Sequence, residues 1–472
     1  MTKKIIFVLA VFLASCTSNK ALKHPLDKSK SKTVILENGL KVYLLSDPSF
    51  NVSAASVSVE VGSLDNPDDR QGLAHFLEHM LFLGTEKYPD VDEYSSYLKT
   101  YGGYSNAYTA SDHTNYQFQV LPDGFEGALD RFSQFFTSPL FTEEYTAREV
   151  NAVNSEHQKN MLNDNWRQFR VSSLFAKEGH PERKFGTGNL ETLGDITREE
   201  LIRFYNQHYS ANRMGVALLS THTLEEMEAW CQEYFSLIKN HNLDRNKYDP
   251  GFLEKKETFR LIQINPVKDV RNLNLLFSLP ATRHLYKSKP GRQFGFILGY
   301  EGKGSLLSYL KQKGWALSLS AGAGSETSDY GNASVRIGLT EEGQKNYKDV
   351  IKATMDYIEL MRVEGQQKHV FDELKSMASL NEIYASKGEG MWRATQLANE
   401  AMMYSLEDVG RVNYLYSDFS SDTYNRILDH IKPDNMIAML IAKGVETDKK
   451  EHFYEAPYSY LSLIHISEPT RP

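Results

Sequence analysis

Cysteine is almost missing: two residues, Cys16 and Cys231, in a chain of 472. That count excludes a disulfide framework and any cysteine-rich metal site. Cys231 falls in the amphipathic pattern LEEMEAWCQEYFSLI, where a small core side chain is expected. Long apolar runs are scarce as well. The stretch Ile5 to Ala14 falls short of the roughly 20 residues that a bilayer span needs. There is no block of lysine and arginine, and a net charge of −8 is modest for this length. Nucleic acid is therefore not an expected partner. What remains, with 41% hydrophobic and 24% charged residues, is a packed globular protein of about two to four domains.

The two ends stand apart from that body. MTKKIIFVLAVFLASC has Lys3 and Lys4 followed by a short apolar run, the form of a secretory signal over residues 1–15. Leu13-Ala14-Ser15-Cys16 resembles a bacterial lipobox, in which small residues precede the cleaved bond and a thiol takes the lipid. The expected product is a bacterial lipoprotein whose membrane link is a lipid on Cys16, with a polar tether over residues 16–32. Thr17, where an acidic residue would retain the protein elsewhere, favours the periplasmic side of the outer membrane. At the far end LSLIHISEPTRP, residues 461–472, resembles a translated sequencing adapter and is set apart from the fold. The chain then reads as a truncated frame.

Between the ends, apolar and polar residues alternate on both sides of Asn38-Gly39, which predicts a hairpin with a two-residue type I′ turn. NVSAASVSVEVGS reads as a third strand, and SNAYTASDHTNYQFQVLP as two short ones around a polar turn. The segment TEEYTAREVNAVNSEHQKNMLNDNWRQFRVSSLFA reads as one long helix. A charged stretch near residue 250 marks a boundary, after which strands and helices begin again. The expected fold class is α+β: two similar α/β-sandwich domains, over residues 33–250 and 257–460, each a mixed sheet packed against helices. No exact internal repeat is present; the likeness lies in element order.

The chemistry concentrates in GLAHFLEHMLFLGT, residues 72–85. On a helix, residues four apart lie one above the other, so His75 and His79 project together with Glu78 beside them. Two neutral imidazoles at that spacing grip a zinc ion and leave room for a third ligand and a water, whose proton a neighbouring carboxylate can accept. The order H-x-x-E-H is the inverzincin signature. Phe76, Leu77, Met80, Leu81 and Phe82 surround the trio, and a buried carboxylate without a partner is costly. The third ligand comes from elsewhere. Glu149 and Glu156 are two turns apart on the long helix and share a face. Periodicity does not choose between them, and His157 is a further candidate.

GLAHFLEHMLFLGT, SNAYTASDHTNYQF, REVNAVNSEHQKN and FGTGN together resemble the pitrilysin/insulin-degrading enzyme (insulinase) family of zinc metallopeptidases. The likeness runs over roughly residues 33–460 and is densest in the first 200. It implies that Glu156, 77 residues after His79, is the third zinc ligand, and that Glu149 holds a ligand histidine. It further implies one zinc ion per chain, with Glu78 as the general base of a zinc metalloendopeptidase acting on peptides. Asn106 and Ala107 match an edge strand that pairs with substrate backbone. Tyr108 matches the border of the pocket on the amino side of the cut, and Trp166 and Phe169 the pocket on the other side. GYEGKGS and WALSLSAG match a region that captures a substrate N-terminus. Relatives of this kind have two halves that close like a clamshell, and the second supplies an arginine and a tyrosine that help bind substrate. A missing C-terminal half or a partner subunit is therefore expected, with weak peptidase activity for the chain alone. The alternative is a non-catalytic, chaperone-like binding half that pairs with another subunit.

Overall fold

The computed structural model describes residues 21–253 and 260–462. The signal segment and Cys16 therefore lie outside the described residues, as do positions 463–472. Among these residues, thirteen strands form two mixed sheets. The first holds β1 (Lys30–Ile35), β2 (Lys41–Ser46), β3 (Ser53–Val59), β4 (Tyr104–Thr109), β5 (Thr114–Val120) and β6 (Met214–Ser220). The second holds β7 (Arg260–Ile264), β8 (Arg271–Pro280), β9 (Ala316–Ser325), β10 (Tyr330–Leu339), β11 (Met436–Ala442), β12 (Lys449–Lys450) and β13 (Pro457–Ser462).

Strand order is β1-β2-β6-β3-β5-β4 in the first sheet and β12-β13-β7-β11-β8-β10-β9 in the second. Each sheet has one parallel pair, β2 with β6 and β7 with β11. The topology is thus repeated, with one exchange: the strand outside the parallel pair enters first in one sheet (β1) and last in the other (β13). A likeness of element order in sequence becomes a likeness of sheet order in space.

The hairpin loop differs from expectation. Ile35 pairs with Lys41, and the Leu36 amide donates to the Leu40 carbonyl. Glu37, Asn38 and Gly39 therefore form a three-residue loop, with Gly39 at φ 84°. The Asn38 amide is occupied instead by the Phe235 and Ile238 carbonyls, at 2.9 and 3.0 Å. The expected single long helix is also broken. It runs Glu143–Asn160, stops, and restarts at Asp164–Ser173, where the Asn163 side chain caps the Asn165 amide. That break re-aims Trp166 and Phe169.

β3 is buried on both faces. Ala55, Val57 and Val59 join the main core under the motif helix, while Ala54 packs on a helix from the second segment, Met391–Met403. Ser58, on the same face, bonds to Asn399 of that helix. Small and hydroxyl side chains on that face let the helix lie close. Residues 21–32, expected within a polar tether, are ordered: Lys30 opens β1, and Asp27 pairs with Lys387 at 3.6 Å. Leu461 and Ser462 continue the β13 ladder opposite Leu261 and Arg260. No helix among the described residues is long and apolar enough to cross a membrane.

Candidate active site

The motif helix spans Leu73–Met80 and opens on Gly72, whose φ of 93° suits a residue without Cβ. A Cβ at Gly72 would come within 2.3 Å of the Gly188 backbone. This backbone-to-backbone approach brings the FGTGN loop over the helix start. There the Thr187 carbonyl accepts from His75 Nδ1 at 2.7 Å. One turn on, His79 Nδ1 faces Glu149 Oε2 at 3.4 Å. Both imidazoles therefore spend Nδ1 on the protein and present Nε2 to the same place, which fixes the tautomer that a metal requires.

The long helix delivers Glu156 to that place. Its Oε2 lies 3.5 Å from His75 Nε2 and 3.7 Å from His79 Nε2. The three ligand atoms all fall within 4.8 Å of one another. Ligands 2.0–2.2 Å from a tetrahedral zinc are about 3.4 Å apart, so this donor set fits that ion. Burial opposes the charged form of His79, but hydrogen bonds to Glu149 and Glu156 outweigh it and raise its pKa to about 9. The same bonds to His79 lower both carboxyl groups. His157 is not a ligand candidate in space. One residue beyond Glu156 turns it about 100° around the helix, into the core, where Nε2 donates to the Phe453 carbonyl at 2.9 Å.

Glu78 sits on the buried flank of the trio, 7% exposed. It accepts from Thr109 Oγ1, at the end of β4, at 2.6 Å. Burial raises its pKa, against the pull of His75 and the Thr109 bond. The result is a carboxylate that holds a proton more readily than an ordinary glutamate.

A cavity of about 920 Å³ opens above these groups. Asn106, Ala107 and Tyr108 line one side from β4, which is the sheet edge, with β5 as its neighbour in the order. Trp166 and Phe169 line the other side from the restarted helix. Trp166 stacks on Tyr454 with ring planes 10° apart. The predicted metal, base and substrate residues are thus brought together around one space. The GYEGKGS and WALSLSAG segments contribute nothing to its lining; WALSLSAG runs instead into β9, the edge of the second sheet. Three participants were invisible to sequence reasoning: Thr109, the Thr187 carbonyl and Tyr454. Only the FGTGN glycines hinted at one of them.

Comparison with known proteins identifies the family. Residues 41–178 match Insulinase (Peptidase family M16), residues 195–377 the M16 inactive domain, and residues 383–465 the middle or third domain of peptidase M16. The human insulin-degrading enzyme is 39% identical over 93% of the chain and 44% of its own length. The A-factor-processing enzyme of Saccharomyces cerevisiae is 38% identical over 93% of the chain and 43% of its own. The chain spans about half the length of the curated relatives it matches. The crystal structure of pitrilysin superposes with a TM-score of 0.90 and 29% identity, over 94% of this chain and 48% of that one. Three matched family regions in order, relatives near 39% identity and a superposing peptidase fold place the chain in the insulinase (M16) family of peptidases.

Proposed function

We propose that the chain is the zinc-binding part of an endopeptidase, with His75, His79 and Glu156 as ligands and Glu78 as general base. The observation that carries this reading is the convergence of two Nε2 atoms and one carboxylate oxygen beside a buried glutamate. Zinc bound there supplies Lewis acidity, polarising a scissile carbonyl and acidifying water. Glu78 takes the proton of the attacking water and returns it to the leaving amine. Its raised pKa makes it the stronger base for the first transfer. Thr109 fixes its rotamer, and Glu149 and the Thr187 carbonyl orient the histidines. The free edge of β4 at Asn106 and Ala107 pairs with an extended peptide. Tyr108 borders the residue before the cut, and Trp166 and Phe169 receive the residue after it.

The test is metal content and peptide cleavage for the wild type and Glu78→Gln. One zinc per chain is expected in both, with cleavage reduced at least about 100-fold in the variant. A zinc-loaded Glu78→Gln protein that cleaves at the wild-type rate would overturn the assignment. We further propose that a second half or a partner subunit closes the cavity, so that the chain alone is weakly active. Outside the cytoplasm, a lipid on Cys16 would hold the protein at the outer membrane. Cys16→Ser should move it from the membrane to the soluble fraction on cell fractionation.

A further inference from the structure

A second cavity, of about 870 Å³, lies at the opposite edge of the first sheet from the metal trio. Its walls come from residues 21–33, from β2 and the loop after it, and from segments 382–393 and 406–411. Arg393, in the first turn of the helix Met391–Met403, lines this cavity at 7% exposure. Its Nη1 donates to Gln396 Oε1 at 2.7 Å, and its buried Nε has no partner.

Four of the nearby carboxylates have other partners, although Glu400 also feels the charge of Arg393. Glu382 pairs with Arg411 at 2.6 Å, and Asp27 lies between Lys23 and Lys387. Glu389 accepts from the backbone and side chain of Asn51. Glu400 accepts from Gln396 and from the Gly410 amide. A buried guanidinium with an unused Nε donor, at the positive end of a helix, calls for an anion. One planar fork suits a carboxylate, and the nearby acidic groups disfavour a dianion. Beside it, Leu26, Leu45, Phe50, Ile383 and Val409 offer an apolar wall.

We propose that this cavity is a second ligand site, separate from the metal trio, that takes a carboxylate carried on a short apolar tail, with Arg393 as its anchor. Free short-chain fatty acids and apolar peptide C-termini share that chemistry. The ligand would bridge the 21–29 segment and the 382–393 segment.

The probes are octanoate, N-acetyl-dileucine and the amide of N-acetyl-dileucine, added to the full chain and followed by calorimetry. At least one of the two acids should bind with a Kd below about 1 mM, and which one does identifies the source. The amide should bind at least tenfold more weakly than its acid, and Arg393→Gln should weaken the acids at least tenfold. On the wild type, the bound acid should slow hydrogen exchange over residues 21–29 and 382–393. That map decides the matter even where the variant fails to fold. Absence of binding by both acids, equal binding of acid and amide, unchanged binding by a folded Arg393→Gln, or protection confined to other segments would each overturn the proposal.

Discussion

At the scale of single residues, the candidate site depends on groups set behind its metal-facing atoms. Glu149 holds His79 through Nδ1. Removing such a partner loosens the ring and lowers its basicity, at a typical cost of about 10–100-fold in metal affinity. Glu149→Ala should therefore weaken zinc binding by about that factor in a chelator competition, whereas Glu78→Gln should leave it nearly unchanged. The contrast separates a positioning carboxylate from a reacting one. It also marks what was legible at this scale. Helical spacing alone placed His75, Glu78 and His79 together. It did not separate Glu149, Glu156 and His157, since all three are polar positions on one helix. The resemblance to the peptidase family singled out Glu156, and the coordinates of its neighbours explain why: a 100° turn per residue sends His157 to Phe453 and leaves Glu156 beside the histidines.

Among elements, the decisive event is a meeting of backbones. The motif helix can reach the 186–188 loop because neither Gly72 nor Gly188 carries a Cβ. Gly72→Ala would put a methyl 2.3 Å from the Gly188 Cα and force the two elements apart. The expected outcome is a lower melting temperature together with a zinc affinity reduced at least about tenfold, because His75 loses the Thr187 carbonyl. Gly179→Ala is the control. Gly179 has φ 75° but no atom within 4 Å of its would-be Cβ. It should cost only about 1–2 kcal/mol of left-handed strain and spare the metal. Elements with a local signature were readable: the motif helix, β3, β4, β5 and β6. Breaks were not. The stop at 161–163 depends on the Asn163 cap, and Asp164 meanwhile accepts from the Val267 and Lys268 amides. The packing of the helix Met391–Met403 was unreadable for a similar reason: its partner is the far face of a sheet more than 150 residues earlier.

In the whole molecule, the two sheets repeat one topology and meet through an apolar cluster that includes Leu64, Val171, Phe252, Ile262 and Met439. Polar ties cross the same seam. Arg170 pairs with Glu451 at 3.0 Å, and Arg167 donates to the Tyr454 carbonyl at 2.9 Å. Glu182 is the weak point. It accepts from Tyr330 Oη at 2.6 Å, with Glu326 nearby and the His180 ring against Tyr330. Burial raises its pKa from 4.5 to about 7, only partly offset by the tyrosine bond. An acid whose pKa is higher folded than unfolded favours the folded state while protonated. Its contribution is full below pH 4.5 and is lost as pH rises through about 7. The change is on the order of 3 kcal/mol. Glu182→Gln keeps an acceptor for Tyr330 and removes the charge. With metal chelated in both proteins, the variant should match the wild type near pH 5 and melt several degrees higher at pH 8. Metal-site titrations are common to both proteins and cancel in the difference. A difference curve that stays flat from pH 5 to 8 would mean that the carboxylate is solvated when ionised, and that the two domains part there as easily in base as in acid.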